Sequence, residues 1–303
     1  MRPSPLMLCI LAAILVGLLN LFSKGLLLAG LTPLQICAYR EGITALVFGI
    51  FLIIMDRQAF RIRPKDAWLF LLFGLFNVLS NICVFNAQGY ISLELAAVLE
   101  MTSPYFMLVF GVFLFGSRIT RRKVLAAFIA FLGCIFTIGL FNSGLENIQT
   151  MGLVFGILSG ITLAAFTVGS KYVEKKGYSE NTAMFYFFLF SALLSVPFAN
   201  LGDTAGTVWG NAGLIAHVLL MGVACTLLPN YFVVYSTRRI DPAVVGIIVT
   251  SSLIVSTMCG VIAFGDEFDW GDAVGITLIL CAIIMLEPPS FLRERFGLKA
   301  EEE

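Results

Sequence analysis

Long apolar stretches alternate with short polar segments along the whole chain. Each stretch holds about 20 predominantly apolar residues, and a helix of that length crosses about 30 Å of hydrocarbon. The pattern therefore predicts an all-α integral membrane protein with ten transmembrane helices. Their predicted bounds are 6–28, 34–54, 67–87, 93–115, 122–141, 151–171, 182–200, 212–235, 242–264 and 271–289.

Basic residues are confined largely to alternate polar segments of this pattern. They occur near the start of the chain and in residues 57–65, 118–123, 171–176, 238–239 and 293–299, whereas the five intervening segments lack Lys and Arg. Since Lys and Arg are retained on the cytoplasmic side of a membrane, we predict that both termini are cytoplasmic and that the number of crossings is even. The predicted location is the inner (plasma) membrane of a bacterium.

Composition narrows the class of protein further. Hydrophobic residues make up 59% of the chain, charged residues 13%, and the mean hydropathy is +0.96, which leaves no room for a separate soluble domain. The net charge is zero, so the sequence offers no basic surface for nucleic acid. Seven cysteines lie within apolar stretches without CxxC or Cys/His spacing, which predicts neither metal, cofactor nor disulfide.

The second half of the chain repeats the first. A shift of 149 residues aligns Asn81 with Asn230, Gly111 with Gly260 and Phe115 with Phe264, and a shift of 147 near the start aligns Lys24 with Lys171 and Gly30 with Gly177. Because each unit holds five helices, an odd number, the second unit is expected to cross the membrane in the opposite direction. We predict repeats over 1–145 and 146–292, a cytoplasmic tail over 293–303, and alternating access between the halves.

Several motifs in these stretches resemble the EamA-type carriers of the drug/metabolite transporter superfamily. They are Pro33 and Arg40, the run AAVLEMTSP at 96–104, GSRIT at 116–120 and GDEF at 265–268. Leu253 stands where the family pattern would place a proline opposite Pro104, and Ser117 and Asp266 replace its usual glutamates. The resemblance implies a ten-helix secondary carrier of small metabolites, often an exporter of amino acids or related compounds.

Two charged residues within predicted helices are the first candidates for function. At 1.5 Å per residue, Arg40 lies about 9 Å and Glu100 about 10 Å below the outer boundary of the membrane, so the two could meet. Glu100 is either a proton-titratable or a substrate-amine-binding carboxylate, and Arg40 its partner or an anchor for a substrate carboxylate. Alternatively, the two form a fixed ion pair that locks helices 2 and 4. Glu41 projects about 100° away from Arg40, so we do not expect both to face one partner.

Lys24 is a weaker candidate for coupling or gating. It lies near the outer end of helix 1, where a lysine can extend its ammonium group to the interface. Ala13, Gly17 and Asn20 share its helix face, however, and a similar face recurs in helix 6 at the 147-residue shift. Both interpretations therefore stay open.

Uncharged polar residues predict a substrate site between the two halves. Asn77 and Asn81 share one face of helix 3, Asn230 lies on helix 8, and Ser103 and Tyr105 lie on helix 4. An amide turned to lipid loses hydrogen bonds, so these faces should line a watered cavity among helices 1, 3, 4, 6, 8 and 9. Contact with substrate and simple helix-to-helix bonding are equally compatible with this pattern.

The sequence thus favours a carrier that exports amino acids or related amphipathic compounds, with a small-molecule substrate, the lipid bilayer and protons as its partners. An uptake carrier or exchanger for an organic cation or a nucleotide sugar is the alternative. An intramembrane enzyme is disfavoured because no HExxH or GxSxG motif occurs. A lipid-handling protein would not need polar faces directed inward. The oligomeric state is not predicted.

Overall fold

The protein is helical throughout the residues that its computed structural model describes, which are 4–91, 93–117, 119–137, 149–259, 261–262 and 269–286. The predicted tail 293–303, the motif at 265–268 and the partners Gly260 and Phe264 of the repeat lie outside these residues. The described helices are α1 (Pro5–Leu28), α2 (Pro33–Met55), α3 (Ala67–Gln88), α4 (Leu93–Glu100), α5 (Ser103–Phe115), α6 (Arg121–Thr137), α7 (Thr150–Lys175), α8 (Glu180–Ser195), α9 (Gly202–Trp209), α10 (Ala212–Gly222), α11 (Leu228–Thr237), α12 (Pro242–Val249), α13 (Ser252–Cys259) and α14 (Trp270–Leu286).

Helix occupies part of every predicted transmembrane stretch. Seven stretches of the described chain are long and apolar enough to cross a membrane, and two shorter apolar helices, Pro5–Leu19 and Trp270–Met285, accompany them. The count of ten crossings therefore stays a prediction. The seven stretches are Leu34–Met55, Pro64–Ala87, Leu95–Phe115, Thr150–Lys175, Glu180–Phe198, Ala212–Thr237 and Pro242–Cys259. The short helix α9, between α8 and α10, was not predicted.

Matching glycines end α1 and α7. Gly30 and Gly177 have φ angles of 89° and 88°, a left-handed conformation that glycine adopts without steric cost. The residue after each glycine makes the same closing bond back to the helix, from the amide of Leu31 to the carbonyl of Leu26 and from the amide of Tyr178 to the carbonyl of Val173. These are the positions that the 147-residue shift aligns, so the two ends have the same geometry.

The predicted helix 93–115 is interrupted between α4 and α5. Pro104 has no amide hydrogen and therefore cannot bond to the carbonyl of Glu100, four residues earlier. The chain turns instead through Met101 and Thr102, where the Thr102 amide and hydroxyl both donate to the carbonyl of Leu99, the hydroxyl at 2.6 Å. Glu100 consequently ends one helix segment deep within the predicted crossing.

The predicted helix 242–264 is interrupted in the same way, 149 residues further along. The Ser251 amide and hydroxyl both donate to the carbonyl of Ile248, the hydroxyl at 2.7 Å. No proline follows, because Leu253 stands in that place. The hydroxyls of Thr250 and Ser251 compete with backbone amides for the carbonyls of the preceding turn, which replaces the regular helix by a tighter turn.

A third interruption separates α10 from α11. Residues Val223–Leu227 form a π-helical turn, and Pro229, two residues after it, has no amide hydrogen and so removes one helical bond. The Thr226 hydroxyl donates to the carbonyl of Met221 at 2.9 Å within this turn. Next to it, the Thr44 hydroxyl of α2 reaches the carbonyl of Gly222 at 2.9 Å, which fixes α2 against the turn.

The helices pack in reciprocal pairs. α3 lies against α7 and α8, while α1 lies against α11 and α2 lies against α8 and α10. α7 contacts both α4 and α5, α1 contacts both α12 and α13, and α6 pairs with α14. Glycines allow these close approaches: a Cβ atom on Gly160 would lie 2.6 Å from Thr102 Oγ1, and one on Gly17 would lie 2.7 Å from the carbonyl of Ser252. Each interrupted helix is thus held by a glycine-bearing helix of the other half.

Candidate functional site

A cluster of polar side chains on α2 and α3 contains Glu41, the most buried charged residue of the described chain. The Arg40 guanidinium donates from Nη2 to Glu41 Oε1 at 3.0 Å and to Asn81 Oδ1 at 3.4 Å. Asn81 Oδ1 also accepts from the thiol of Cys37 at 3.5 Å. We call Cys37, Arg40, Glu41 and Asn81 the Arg40 cluster. Two charges within a membrane are costly unless paired, and this pair provides that compensation.

Arg40 pairs with its neighbour Glu41, a contact that the sequence does not predict. The divergence of their Cβ atoms predicts only that the two residues do not both face one partner. The long arginine side chain nevertheless reaches back around the helix to the Glu41 carboxylate. Flexible side chains thus connect positions that the helical geometry of the Cβ atoms separates.

Glu100 lies beside the cluster without a direct bond to Arg40. It occupies the last residue of α4, its side chain is half-buried, and no hydrogen bond to it is found among the described residues. Glu100, Arg40 and Cys37 are close enough to interact electrostatically. Arg40 and Glu100 therefore lie near each other, but they do not form an ion pair between helices in this structure.

The two asparagines of α3 make different contacts. Asn77 is buried, and its amide donates to the Ser191 hydroxyl of α8 at 2.9 Å. Asn81 is half-buried and donates to the carbonyl of Asn77 at 2.9 Å. Its counterpart Asn230 makes the same bond to the carbonyl of Thr226 at 2.8 Å. Asn77 thus bonds one helix to another, whereas Asn81 joins the charged cluster.

The remaining predicted site residues make no hydrogen bond to the cluster in the part of the chain that the structure describes. Ser103 is buried at the start of α5, and the half-buried ring of Tyr105 lies edge-on to Phe131 with centroids 6.0 Å apart. Asn230 is half-buried on α11. Lys24 belongs to α1, but its side chain lies outside the described part of the structure.

Pockets are found at α2 and α8 and at α14 in the part of the chain that the structure describes. One of about 520 Å³ lies between α2 and α8 and is lined by apolar side chains such as Leu46, Ile50 and Leu189. The other, of about 290 Å³, lies on α14 around Trp270. Neither contains a predicted site residue, so the central cavity expected between the halves stays a prediction.

At the end of the bundle that carries the basic loops, which we call the basic face, polar contacts join the two halves of the chain. The Tyr178 hydroxyl donates to Asp66 Oδ2 at 2.5 Å and accepts from the Arg63 amide at 3.2 Å. Arg238 in turn donates to the carbonyls of Tyr178 and Ser170 at 3.1 and 3.2 Å. We call Asp66, Tyr178 and Arg238 the Tyr178 latch.

Further polar contacts surround the latch. Lys123 Nζ lies 2.8 Å from Asp241 Oδ2, and the Asn181 amide donates to Asp56 at 2.8 Å. At the opposite face, a longer polar contact joins the halves: the Tyr39 hydroxyl lies 3.4 Å from the Thr204 hydroxyl. Apolar residues dominate there, with Leu26, Leu31, Ile36, Tyr39, Val208, Val218 and Met221 in one buried cluster. The basic face therefore has the stronger polar connections among the described residues.

Sequence reasoning missed both Glu41 and the latch as features of interest. Glu41 was set aside because of its direction from the helix, although its position next to Arg40 was visible. Tyr178 follows Gly177 in a polar loop, and no pattern in the sequence links it to Asp66, more than a hundred residues earlier. Only the packing of α3 against α7 and α8 brings these loops together.

Comparison with known proteins identifies the family. The model of the EamA-like transporter family matches residues 3–139 and again residues 150–287. An uncharacterized transporter of Archaeoglobus fulgidus is 24% identical over 257 residues, which cover 84% of this chain and 89% of the relative. The pseudopaline exporter of Pseudomonas aeruginosa is 23% identical over 64% of this chain and 66% of its own length.

Two further likenesses concern a eukaryotic relative and the fold. GDP-fucose transporter 1 of Dictyostelium discoideum is 24% identical over 67% of this chain and 56% of its own length. A solved crystal structure of a protein at 18% identity covers 98% of this chain and all of its own, with a TM-score of 0.79, which shows the same fold. The chain is therefore an integral membrane protein that belongs to the EamA-like transporter family of the drug/metabolite transporter superfamily.

Proposed function

We propose that this protein is a secondary active transporter that exports amino acids or related amphipathic compounds by alternating access. One observation carries the proposal: the partly exposed side chain of Arg40 and the half-buried Glu100 carboxylate, which has no hydrogen-bond partner among the described residues, lie near each other. A guanidinium recognises a carboxylate and a carboxylate recognises an ammonium group. Opposite charges at one depth therefore fit a substrate that carries both an acid and an amine.

The proposed architecture is ten transmembrane helices arranged as two inverted repeats, residues 1–145 and 146–292, with a tail at 293–303. Three features support it. The family model matches the chain twice in tandem. The interruptions at Thr102 and Ser251, and the amide bonds of Asn81 and Asn230, recur at a spacing of 149 residues. The packing of α3 on α7 corresponds to the packing of α11 on α1 when the two repeats are exchanged.

The proposed substrate contacts are the predicted set, and the proposed coupling and gating groups are three charged residues. The amides of Asn81 and Asn230 donate to the preceding helical turn. The half-buried oxygen of Asn230 remains for a substrate donor, whereas that of Asn81 accepts from Arg40 and Cys37 and would reach a substrate as part of the Arg40 cluster. Asn77 supports the site from behind, because its amide is bonded to Ser191. The contacts are Asn77, Asn81, Glu100, Ser103, Tyr105 and Asn230, and the coupling or gating groups are Glu100, Arg40 and Lys24.

We further propose that the Tyr178 latch closes the substrate site on its basic side. The positive-inside rule assigns the basic side to the cytoplasm. We propose that the membrane is the inner membrane of a bacterium and that both chain ends are cytoplasmic. The contacts of the Tyr178 hydroxyl with Asp66 and with the Arg63 amide join the segment before α3 to the α7–α8 loop, and these belong to different proposed repeats. Inward opening therefore requires that these contacts break, and outward opening leaves them intact.

Transport of a nucleotide sugar is the second candidate, because one relative is a GDP-fucose transporter. The charges near the site argue against it. Arg40 is accompanied by the carboxylates of Glu41 and Glu100, whereas a nucleotide sugar brings a dianionic diphosphate that would be repelled by them. An organic cation would suit the two carboxylates but would leave Arg40 without a role.

Proteoliposome flux separates these candidates. Vesicles that contain the purified protein would be loaded with a radiolabelled neutral amino acid, a quaternary ammonium compound or a nucleotide sugar. Efflux of each compound would be measured with and without a pH gradient. Flux of a zwitterionic amino acid is expected, and flux of only the cation or only the nucleotide sugar would refute the proposal.

Glu100→Gln tests proton coupling in the same vesicles. Because glutamine cannot exchange a proton, the variant is expected to lose the pH dependence of flux while it still folds and inserts. Glu174→Gln on the exposed end of α7 is the matched control and should behave like the parent protein. If Glu100→Gln transports with unchanged rate and pH dependence, Glu100 has a structural role and coupling lies elsewhere.

A further inference from the structure

Glu41 supplies the carboxylate of the Arg40 cluster, and only one of its two carboxylate oxygens has a hydrogen bond. Its side chain is 2% exposed, and Oε1 accepts from Arg40 at 3.0 Å. Oε2 is buried and has no hydrogen-bond donor among the described residues. A buried carboxylate oxygen without a donor is destabilising, so this arrangement is not explained by stability of the fold alone.

The Arg40 guanidinium is incompletely bonded as well. Its Nε is buried without an acceptor in the described chain, and its Nη2 is shared between Glu41 and Asn81. Arginine and a carboxylate prefer two parallel hydrogen bonds, which adjacent residues on one helix turn do not achieve here. The side chain of Arg40 is also 17% exposed, so Arg40 is not sealed off from another group.

These observations describe a cation held by a carboxylate in suboptimal geometry. A separate carboxylate, free of the helix backbone, can approach the guanidinium in the two-bond geometry that Glu41 does not reach. At the same time Glu41 prevents the charge of Arg40 from standing alone within the membrane when no ligand is bound, a state that removal of one partner makes strongly unfavourable.

We infer that Glu41 occupies the Arg40 guanidinium in place of a substrate carboxylate, and that a carboxylate-bearing substrate displaces it on binding. The inference rests on the transport function proposed above and specifies how one end of the substrate is recognised. Glu41 then acts as a built-in competitor. A substrate without an acidic group does not displace Glu41, so the residue selects for carboxylates over neutral analogues.

Acetate provides a probe that does not depend on the identity of the substrate. Glu41→Ala removes a carboxylate and its adjoining methylene, a group with the composition of acetate. Thermal unfolding of the detergent-purified variant would be compared in sodium acetate and in sodium chloride of equal ionic strength. Acetate at ten times its dissociation constant is expected to raise the midpoint by about 2 °C over chloride.

Two variants serve as controls. The double variant Arg40→Ala/Glu41→Ala lacks the cation and should show no difference between the two salts. Glu180→Ala, which removes the partner of Arg239 at the edge of the basic face, should show none either, because an accessible ion pair is screened by any salt. If Glu41→Ala does not survive purification, Glu41→Gln is used, and an acetate-specific shift is expected in it as well.

The inference is overturned if acetate and chloride protect the Glu41 variants equally, or if the double variant responds as strongly as the single one. Loss of the transport proposal gives a different result. In that case proteoliposomes of the parent protein show no flux of any tested compound, while the acetate response of Glu41→Ala is unaffected, since binding at Arg40 does not require transport.

Discussion

Tyr178→Phe is the sharpest test of the latch at the basic face, because it removes a single oxygen that makes two contacts between the proposed halves. The hydroxyl donates to Asp66 at 2.5 Å and accepts from the Arg63 amide at 3.2 Å. Phenylalanine keeps the ring, which lies edge-on to Phe70 with centroids 5.1 Å apart. The substitution therefore leaves the apolar packing in place and removes only the polar contacts.

The expected magnitude follows from the bond to Asp66. A hydrogen bond to a charged group contributes about 1.5–3 kcal/mol net, and since Tyr178 is only half-buried we take the lower end. A loss of about 1.4 kcal/mol multiplies the population of the open basic face about tenfold. Partial burial, together with the bond to Asp66, raises the pKa of Tyr178 above its ordinary value. The Tyr178 hydroxyl is therefore protonated at every pH below the ordinary tyrosine pKa of about 10. The stability that its hydrogen bond provides is lost only as pH rises through the raised pKa.

Hydrogen–deuterium exchange of the protein in lipid nanodiscs measures this opening without added labels. Peptides that cover 57–66 and 236–245 report on the basic face, since the amides of Arg239 and Ile240 bond to the carbonyl of Ser236 there. Exchange of both peptides is expected to accelerate about tenfold in Tyr178→Phe at neutral pH, because exchange follows the open population.

Tyr172→Phe is the matched control, because the Tyr172 hydroxyl makes no hydrogen bond among the described residues and its ring lies against Phe73. Its exchange should equal that of the parent. Acceleration of the Arg63 amide alone, with residues 236–245 unchanged, would mean that the bond to Asp66 is local and does not hold the two halves together. Equal exchange of all peptides in both variants would refute the energetic argument as well.

Two further predictions concern stability within the membrane. Gly275→Ala places a Cβ atom against Thr137 Oγ1 and 2.5 Å from the Thr137 amide nitrogen, so we expect a loss of about 1–3 kcal/mol in thermal unfolding. Gly42→Ala, with no atom within 4 Å, should change stability by less than about 1 kcal/mol, and an equal loss would contradict the packing argument. Asn77→Ala and Ser191→Ala should each cost about 1–2 kcal/mol and the double variant no more than either, whereas additive losses would show that their mutual bond is unimportant.

The positions of the helices could be predicted well because a membrane imposes one requirement on every crossing, about 20 apolar residues in sequence. The interruption before Pro104 has a visible cause in the sequence. The interruption at Thr250 and Ser251 has none, because hydroxyl residues also occur in continuous helices, where their bonds to the preceding turn leave the helix intact. Only the geometry of the folded chain separates the two cases.

The candidate site could be predicted in part. The depth of Arg40 and Glu100 followed from helical rise, and the two residues do lie near each other. The bond between Arg40 and Glu41 could not be predicted, because it depends on the path of a flexible side chain and on which neighbours fill the space around it. The latch likewise depends on loops brought together by helix packing, which local sequence does not record.

The absence of a proline at Leu253 gives the two interrupted helices different mechanical properties. The break before Pro104 is permanent, because a proline has no hydrogen with which to restore the missing bond. The amide of Leu253 donates to the carbonyl of Thr250 at 3.1 Å. It has the hydrogen needed for a regular helical bond, which can form when the hydroxyls of Thr250 and Ser251 no longer occupy the carbonyls of the preceding turn. One half of the protein thus carries a fixed bend and the other a bend that can straighten, so the energies of its two end states need not mirror each other although the fold repeats.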